Sequence, residues 1–445
     1  MSNYPQPNLP NKNSARQAKE MLDQEVILAG RIMAKRGHGK LIFYDLVDES
    51  GKIQLFCLDI NPQVKIGDII SCSGTVFKTT AGEISVKIKE LSLLAPIIRS
   101  LPEKWHGLKD VEERYRMRYV DLIANPEVKE IFKTRTKVLT EMRNFLDDHG
   151  FMEVETPILQ PIYGGASAKP FITKHNKLDE DRYLRISNEL YLKRLIVGGF
   201  EKIYEVSRDF RNEGVSRFHN PEFTQIEFYW AYVDYEELMK FTQEMINYLL
   251  SKVENKSGFD FSKIGKITFR DAILKETKLD IDTIENEKDL LLKIENCKLK
   301  IDKHAIGIGA MLDAIYKEYV RPKLIDPVFV IDYPSEMIAL AKKKEDNPRY
   351  IASFQLLVNG VELLKAYNEL NDPVDQTNRW NDEVALAKKG AETAMQFDKD
   401  YIRALEYALP PVAGWGMGID RFVQIITNQP CIKDVIFFPA MKNED

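Results

Sequence analysis

A chain of 445 residues that is 44% hydrophobic and 29% charged can bury the cores of two or three domains, which excludes a disordered or fibrous protein. A net charge of -5 and a pI of about 5.9 exclude a basic tail as the means of holding nucleic acid, so any such contact must be a local patch. The four cysteines, Cys57, Cys72, Cys297 and Cys431, lack CxxC spacing and the six histidines are scattered, which argues against a zinc site or a disulfide framework and for a reducing compartment.

The opening MSNYPQPNLPNKNSARQ has no apolar core for a signal peptide, and no apolar run nears the ~20 residues of a membrane helix, so a cytoplasmic protein is expected. Residues 1–18 read as a flexible tail. Over 19–96, five short segments are divided by turn signals such as Asp48-Glu49-Ser50-Gly51 and Ala81-Gly82. They are VILAGRIMAKR, LIFYDLVD, GKIQLFCLD, DIISCSGTVFKT and EISVKIKELSLL, the pattern of a small barrel of the oligonucleotide-binding (OB) type. Arg31, Lys35, Arg36 and Lys40 give it a local basic face. Residues 97–125 read as a linker whose aromatics suit packing. Asn125 as cap and Pro126 in the first turn then start a helix. Its apolar face runs through Val128, Ile131, Phe132, Leu139, Met142, Phe145 and Leu146 to Gly150, and a strand over 151–157 follows.

A glycine loop, Tyr163-Gly164-Gly165, precedes a helix near Glu189. The next strand, with Ile203, Tyr204 and Val206, breaks into a loop holding Arg208, Arg211, Glu213, Arg217, His219 and Asn220, and returns as an aromatic strand from Phe223. Such a loop is poor core material. It suits a nucleotide: cations for phosphates, a ring for the base, a carboxylate for amino or hydroxyl groups. Beyond it come a helix over 236–254, a helical stretch over 256–330 without motifs, a strand over 328–333, one long strand over 352–364, helices over 375–408, and Gly414-Trp415-Gly416-Met417-Gly418-Ile419-Asp420-Arg421. No GxGxxG or GxxxxGK[ST] element follows an early strand, which disfavours Rossmann and P-loop folds.

Phe210-Arg211-Asn212-Glu213 followed by Arg217-Phe218-His219-Asn220-Pro221-Glu222-Phe223 resembles motif 2 of the class II aminoacyl-tRNA synthetases, most closely the lysyl-tRNA synthetases. The helix and strand over 126–157 resemble motif 1, and 413–422 resemble motif 3. The resemblance implies an α+β fold: an N-terminal OB barrel, then a class II catalytic domain over 126–445 with an antiparallel sheet flanked by helices. It implies a homodimer through the motif 1 helix and strand, tRNA(Lys), ATP and L-lysine as partners, and Mg2+ as cofactor. The activity implied is ATP-dependent lysine–tRNA ligation, through a lysyl-adenylate and release of pyrophosphate.

The resemblance also assigns residues. Arg211 would bridge the amino-acid carboxylate and the α-phosphate, and Arg421 would hold the far phosphate and adenine side; these two are the catalytic cations. Glu213, His219, Asn220, Phe223 and Glu362 complete the ATP site. Glu189 would hold the α-amino group and Glu369 the ε-ammonium, with Gly165, Glu227, Tyr229 and Tyr367 around them. In the barrel, Phe43 would stack on an anticodon base at ~1–3 kcal/mol and Gln54 would read an edge, beside Arg31; spacing alone favours a core ring and a surface amide, and the resemblance reverses that. The connection between Ile60 and Val64 is shorter than the family's.

Two positions depart from the family. Of its two magnesium-binding glutamates, Glu362 is present and the other is Gln355. An asparagine before Tyr367 is replaced by Lys365. The rival readings are an aspartyl- or asparaginyl-type synthetase and a non-charging paralogue that is protein-modifying or regulatory. The Asn220-Pro221-Glu222-Phe223 wording and Glu369, the match for a buried anion, favour a cationic substrate over the first. The barrel and the two arginines argue against the second.

Overall fold

The computed structural model describes residues 5, 7–38, 41–58, 63–102, 108–302, 305–388 and 396–443. Its contacts divide the chain into one unit of residues 1–114 and 119–125 and a second of 115–118 and 126–445.

The first unit is built on β1 (Glu25–His38), β2 (Leu41–Asp48), β3 (Gly51–Leu58), β4 (Ile69–Lys78) and β5 (Ile84–Ala95). They close in the order β1-β2-β3-β5-β4, with β4 returning antiparallel to β1. Closure leaves no strand edge unpaired. Alternation puts Leu28, Tyr44, Leu46, Leu55, Ile70, Val76 and Val86 inside. The expected flexible tail is corrected over 15–18. Helix α1 (Ala15–Glu20) is held by a capping box, Ser14 Oγ accepting from Gln17 N and Gln17 Oε1 from Ser14 N, and it buries Ala15 and Ala18 on the barrel. Lys40 and the shortened connection at 59–62 lie outside the described residues, as do 1–4 and 6.

The expected linker contains two helices, α2 (Val111–Arg116) and α3 (Arg118–Ala124). Arg118 is fully buried and donates to the carbonyls of Lys433, Ile436 and Phe437. Helix α4 (Val128–Asp148) begins later than expected. Asn125 is not its cap, because its side-chain amide donates to Asp121 Oδ1 and to Leu108 O.

The second unit is organised by an eight-stranded, mainly antiparallel sheet. Its order is β12 (Gly265–Thr268), β13 (Val328–Ile331), β14 (Ser353–Val358), β15 (Val361–Asn368), β16 (Val412–Gly418), β11 (Glu222–Ala231), β10 (Lys202–Phe210) and β6 (Met152–Glu153). The strand expected over 151–157 shrinks to the two residues of β6. The single long strand expected over 352–364 is a hairpin, with Asn359 and Gly360 at φ 51° and 71° making the turn. An Asn-Gly pair is the strongest short hairpin signal, and here it outweighed the unbroken apolar run. A three-stranded sheet, β7 (Leu159–Gln160), β8 (Ile172–His175) and β9 (Glu180–Leu184), stands apart. The helices are α5 (Glu189–Val197), α6 (Tyr235–Lys252), α7 (Phe269–Thr277), α8 (Glu287–Asn296), α9 (Ile308–Ile315), α10 (Pro373–Lys388), α11 (Lys399–Glu406) and α12 (Ile419–Ile426). The stretch over 256–330 therefore contains β12 and β13 as well as helices.

Period-two alternation gives the large sheet two different faces. Ile226, Phe228, Phe354, Leu356, Leu364, Ala366, Trp415 and Met417 point into a core with α4, α6 and α12. Trp415 stacks on Phe228 at 4.8 Å and donates Nε1 to Thr242 Oγ1 at 2.9 Å. The residues between them are polar or glycine, and they floor the site.

Candidate active site

Directly opposed residues in neighbouring strands share a face, so the register writes the floor in rows. One row runs Tyr367–Gly414–Tyr229. The next runs Gln355–Lys365–Gly416–Glu227–Glu205. Each glycine is flanked by two large side chains. A Cβ at Gly414 would lie 2.1 Å from Glu369 Oε1 and 2.6 Å from Tyr229 Cε1, and one at Gly416 would meet Glu227 Cγ at 3.3 Å. The GxGxG pattern thus makes room for pocket side chains, a requirement stronger than the close helix–strand packing it could also serve.

Helix α5 closes one end. Glu189 and Lys193 stand one turn apart on its pocket side. Lys193 Nζ meets Glu189 Oε1 at 2.5 Å and is also paired with Glu369. Tyr367 Oη donates to Glu189 Oε1 at 2.7 Å. Ser187 Oγ donates to Glu227 Oε1 at 3.3 Å, and Gln225 donates to the same oxygen. Gly165, at φ 84°, brings its loop down on this group: a Cβ there would be 2.8 Å from Ser187 Oγ and 3.1 Å from Glu189 Cβ. Two buried carboxylates, Glu189 and Glu369, pair with the one Lys193 ammonium, and Glu227 is buried beside them. Burial pushes Glu227 well above the usual carboxylate range, helped by Asp209 and Glu189, and pushes Glu369 up against the opposing pull of Lys193. Glu369 Oε1 meets no hydrogen-bond donor among the described residues, so this end is an anionic cavity with acceptor capacity left over.

The other end is cationic. Arg421 donates Nη1 to Glu362 O at 3.1 Å, Nε to Phe218 O at 3.4 Å and Nη2 to His219 Nε2 at 3.0 Å. Accepting at Nε2 leaves His219 neutral with its proton on Nδ1, facing Ser216 Oγ at 2.7 Å. Burial, together with Arg421, Arg211, Arg321 and Lys317, pushes His219 down to about 4. Burial would raise Glu362, but Arg321, Arg421, Lys365 and Lys317 outweigh it and hold the carboxyl below its usual range. Arg321 and Lys317 come from the stretch without motifs, at a π-helical turn over Tyr316–Val320, and were missed in the sequence; Arg321 Nε is fixed by Gly360 O at 3.2 Å.

Arg211 stands between the two ends. It donates Nε to Ile186 O at 3.3 Å and lies 5.0 Å from the Phe223 ring centroid. Glu213 is exposed on the loop beyond it. Asn220 is committed to the loop itself, donating to Glu222 O at 2.6 Å and accepting from Ala440 N at 3.1 Å. Asp420, between the last glycine and Arg421, accepts from Thr224 N at 2.9 Å and pairs with Arg135 of α4.

A metal at Glu362 and Gln355 can be tested on these contacts. The Glu362 carboxylate is free of hydrogen bonds and ion pairs among the described residues, which fits one ligand to a cation. Gln355 Oε1 already accepts from Tyr333 Oη at 2.8 Å, and Tyr316 Oη lies behind at 3.0 Å. The amide oxygen keeps one lone pair for a cation but brings no charge, so Glu362 and Gln355 offer a second, protein-held ion one carboxylate in place of two.

In the barrel, Phe43 and Phe56 are directly opposed across β2–β3, and Phe56 lies 5.4 Å from both Phe43 and Phe77. All three rings are half-buried, a tilted aromatic row on the outer surface. Gln54 is buried on the same face, its Oε1 accepting from Ser85 Oγ at 2.8 Å, which leaves the NH2 as its free donor. Arg31 stands at the other end of that face, its Nη1 tied to Gly67 O at 2.7 Å.

The family model for class II tRNA synthetases (D, K and N) matches residues 110–442, and that for the OB-fold nucleic acid binding domain matches residues 26–94. The chain is 46% identical to the lysine–tRNA ligase of Pelotomaculum thermopropionicum, over 95% of this chain and 87% of the relative. It is 47% identical to that of Carboxydothermus hydrogenoformans, over 96% and 91%. It is 46% identical to that of Clostridium tetani, over 95% and 88%.

Proposed function

The chain belongs to the class II tRNA synthetases, within the lysine–tRNA ligases, and from that premise we propose how its residues divide the work. Lysine is activated by ATP to lysyl-adenylate with release of pyrophosphate, and is then transferred to the 3′ end of tRNA(Lys). The carboxylate oxygen attacks the α-phosphorus in line, and the bond to the β-phosphate bridging oxygen breaks. The tRNA hydroxyl later attacks the lysyl carbonyl, and AMP leaves. No protein nucleophile is needed, so the residues position and neutralise.

The observation that carries the assignment is the polarity of one pocket, anionic at α5 and cationic at Arg421, with Arg211 between them. Lysine brings two ammonium groups and one carboxylate; ATP brings a polyanion. Glu189 takes the α-ammonium and Glu369 the ε-ammonium. Glu227, Tyr229, Tyr367 and the Gly165 loop enclose them. Arg211 receives the carboxylate and the α-phosphate. Arg421, neutral His219 and Arg321 take the outer phosphates. Phe223 stacks on adenine, Glu213 contacts the nucleotide from the loop, and Asn220 holds that loop in shape. One Mg2+ carried by the triphosphate, with Glu362 as its protein ligand, supplies charge neutralisation there.

Anticodon recognition falls to the Phe43–Phe56–Phe77 row and the Gln54 amide, with Arg31 at the phosphate backbone. A homodimer through α4 and β6 is supported by the position of β6 as the outer strand of the sheet, with Met152 exposed on it. No described helix is long and apolar enough to cross a membrane. A cytoplasmic site is supported by four unpaired cysteines. The deciding experiment is ATP–pyrophosphate exchange with each of the twenty amino acids, without tRNA. Exchange with lysine alone is expected; exchange with aspartate or asparagine would overturn the pocket assignment.

A further inference from the structure

Two departures, Gln355 and Lys365, face each other. They are directly opposed across β14–β15, and Lys365 is opposed in turn to Gly416, which offers no side chain to cover it. The Gln355 oxygen is engaged by Tyr333. The Lys365 ammonium has no hydrogen bond or ion pair among the described residues and rests 5.6 Å from the Tyr367 ring centroid. The charges that bear on it are Glu362 first, then Glu189, Asp313 and Arg211. It therefore sits between the two ends, with Glu362 and Arg211 on the phosphate side and Glu189 and Tyr367 on the other. A half-buried cation without a partner carries a desolvation cost that an anionic ligand would offset.

Charge arithmetic links the two positions. Glu362, Gln355 and Lys365 together are neutral as they stand. Two carboxylates at 355 and 362 would reach neutrality only with a divalent cation between them. The ammonium and the amide are thus a matched pair of changes, each of which would unbalance the site alone.

We propose that Lys365 takes the place of a protein-held divalent cation, its ammonium binding a phosphate of ATP directly, so that the only metal this chain uses is the one the nucleotide carries. The inference rests on the use of ATP argued above. Lys365 makes and breaks no bond in the reaction; it neutralises charge close to the attacked phosphorus.

The test is calorimetric ATP binding to the full-length chain, in EDTA and in Mg2+, with Mn2+ binding in the absence of nucleotide followed by electron paramagnetic resonance. The unaltered chain is expected to bind ATP in EDTA and to take up no Mn2+ alone. Lys365→Met should weaken metal-free ATP binding roughly 10- to 100-fold, the range for one charge-assisted hydrogen bond, and Lys365→Arg should recover most of it. The double variant Gln355→Glu/Lys365→Asn should bind Mn2+ without nucleotide and should need metal to bind ATP. The proposal is overturned if Lys365→Met binds ATP in EDTA as well as the unaltered chain does. It is equally overturned if the unaltered chain binds ATP only with Mg2+ and takes up Mn2+ as tightly as the double variant. No ATP binding even with Mg2+ would overturn the functional reading and this inference together.

Discussion

The two ends of the pocket rise from one sheet face and solve opposite problems. At the α5 end, Glu189, Glu227 and Glu369 are packed together and Lys193 is the cation paired with Glu189 and Glu369, so burial and mutual repulsion leave that end short of positive charge. At the Arg421 end, Arg321, Arg421, Lys317 and Lys365 bear on Glu362, with Arg211 acting on Arg421 from the middle of the pocket, and that end is short of negative charge. Neither end is at rest electrostatically without a ligand. A substrate pair with the reverse polarity neutralises both, which is the physical content of preorganisation.

If Arg211 joins the two ends, removing it should cost most. Arg211→Ala is expected to lower lysine-dependent pyrophosphate exchange by about 10³-fold or more, with both substrates affected. Glu369→Gln tests the anionic end alone. It leaves Lys193 short of a partner and should raise the KM for lysine by roughly 10²- to 10³-fold, from the ~3–5 kcal/mol of a broken buried pair, while the KM for ATP stays within about threefold. Equal damage to both substrates would dissolve the distinction between the ends. Gly414→Ala pushes a methyl against Glu369 and Tyr229, and overpacking of about 1–3 kcal/mol should reduce lysine affinity roughly 5- to 100-fold with ATP affinity unchanged.

The smallest effect is one of pH, and it should divide the ends cleanly. The raised carboxyls at the anionic end ionise more readily once the substrate ammonium groups arrive, so lysine binding should release protons and tighten as pH rises. Calorimetry in buffers of different ionisation enthalpy reads the protons directly. His219, pushed down to about 4, is neutral near pH 7 and contributes no pH dependence to ATP binding there. A flat lysine profile would mean that the carboxyls are already ionised in the free chain.

Much of this was legible in the chain itself. The strand–loop–strand over Tyr204–Trp230, the helix opening at Glu189 and the closing glycine pattern all declare themselves by local spacing. Ser14 and Gln17, and Asn359 with Gly360, also carried local signals, a capping box and a hairpin turn, that stronger apolar or polar surroundings masked. Arg321 had no such signal, and the spacing of Lys193 from Glu189 did not show that Glu369 would share its ammonium. Their roles come from neighbours far along the chain, as when Tyr367 meets Glu189 across 178 residues.

What the sequence determined by itself is the barrel strands, the elements that carry the three motifs and the family, because periodicity of two or 3.6 residues and motif wording are local properties of the chain. Only the tertiary structure decided which charges share a pocket. It took Asn220 for the loop, recruited Lys317 and Arg321 from a stretch without motifs, and set Lys365 opposite Gln355. Strand register, which aligns residues in rows across the sheet, arises when the whole sheet is assembled, and no spacing within a single strand specifies it.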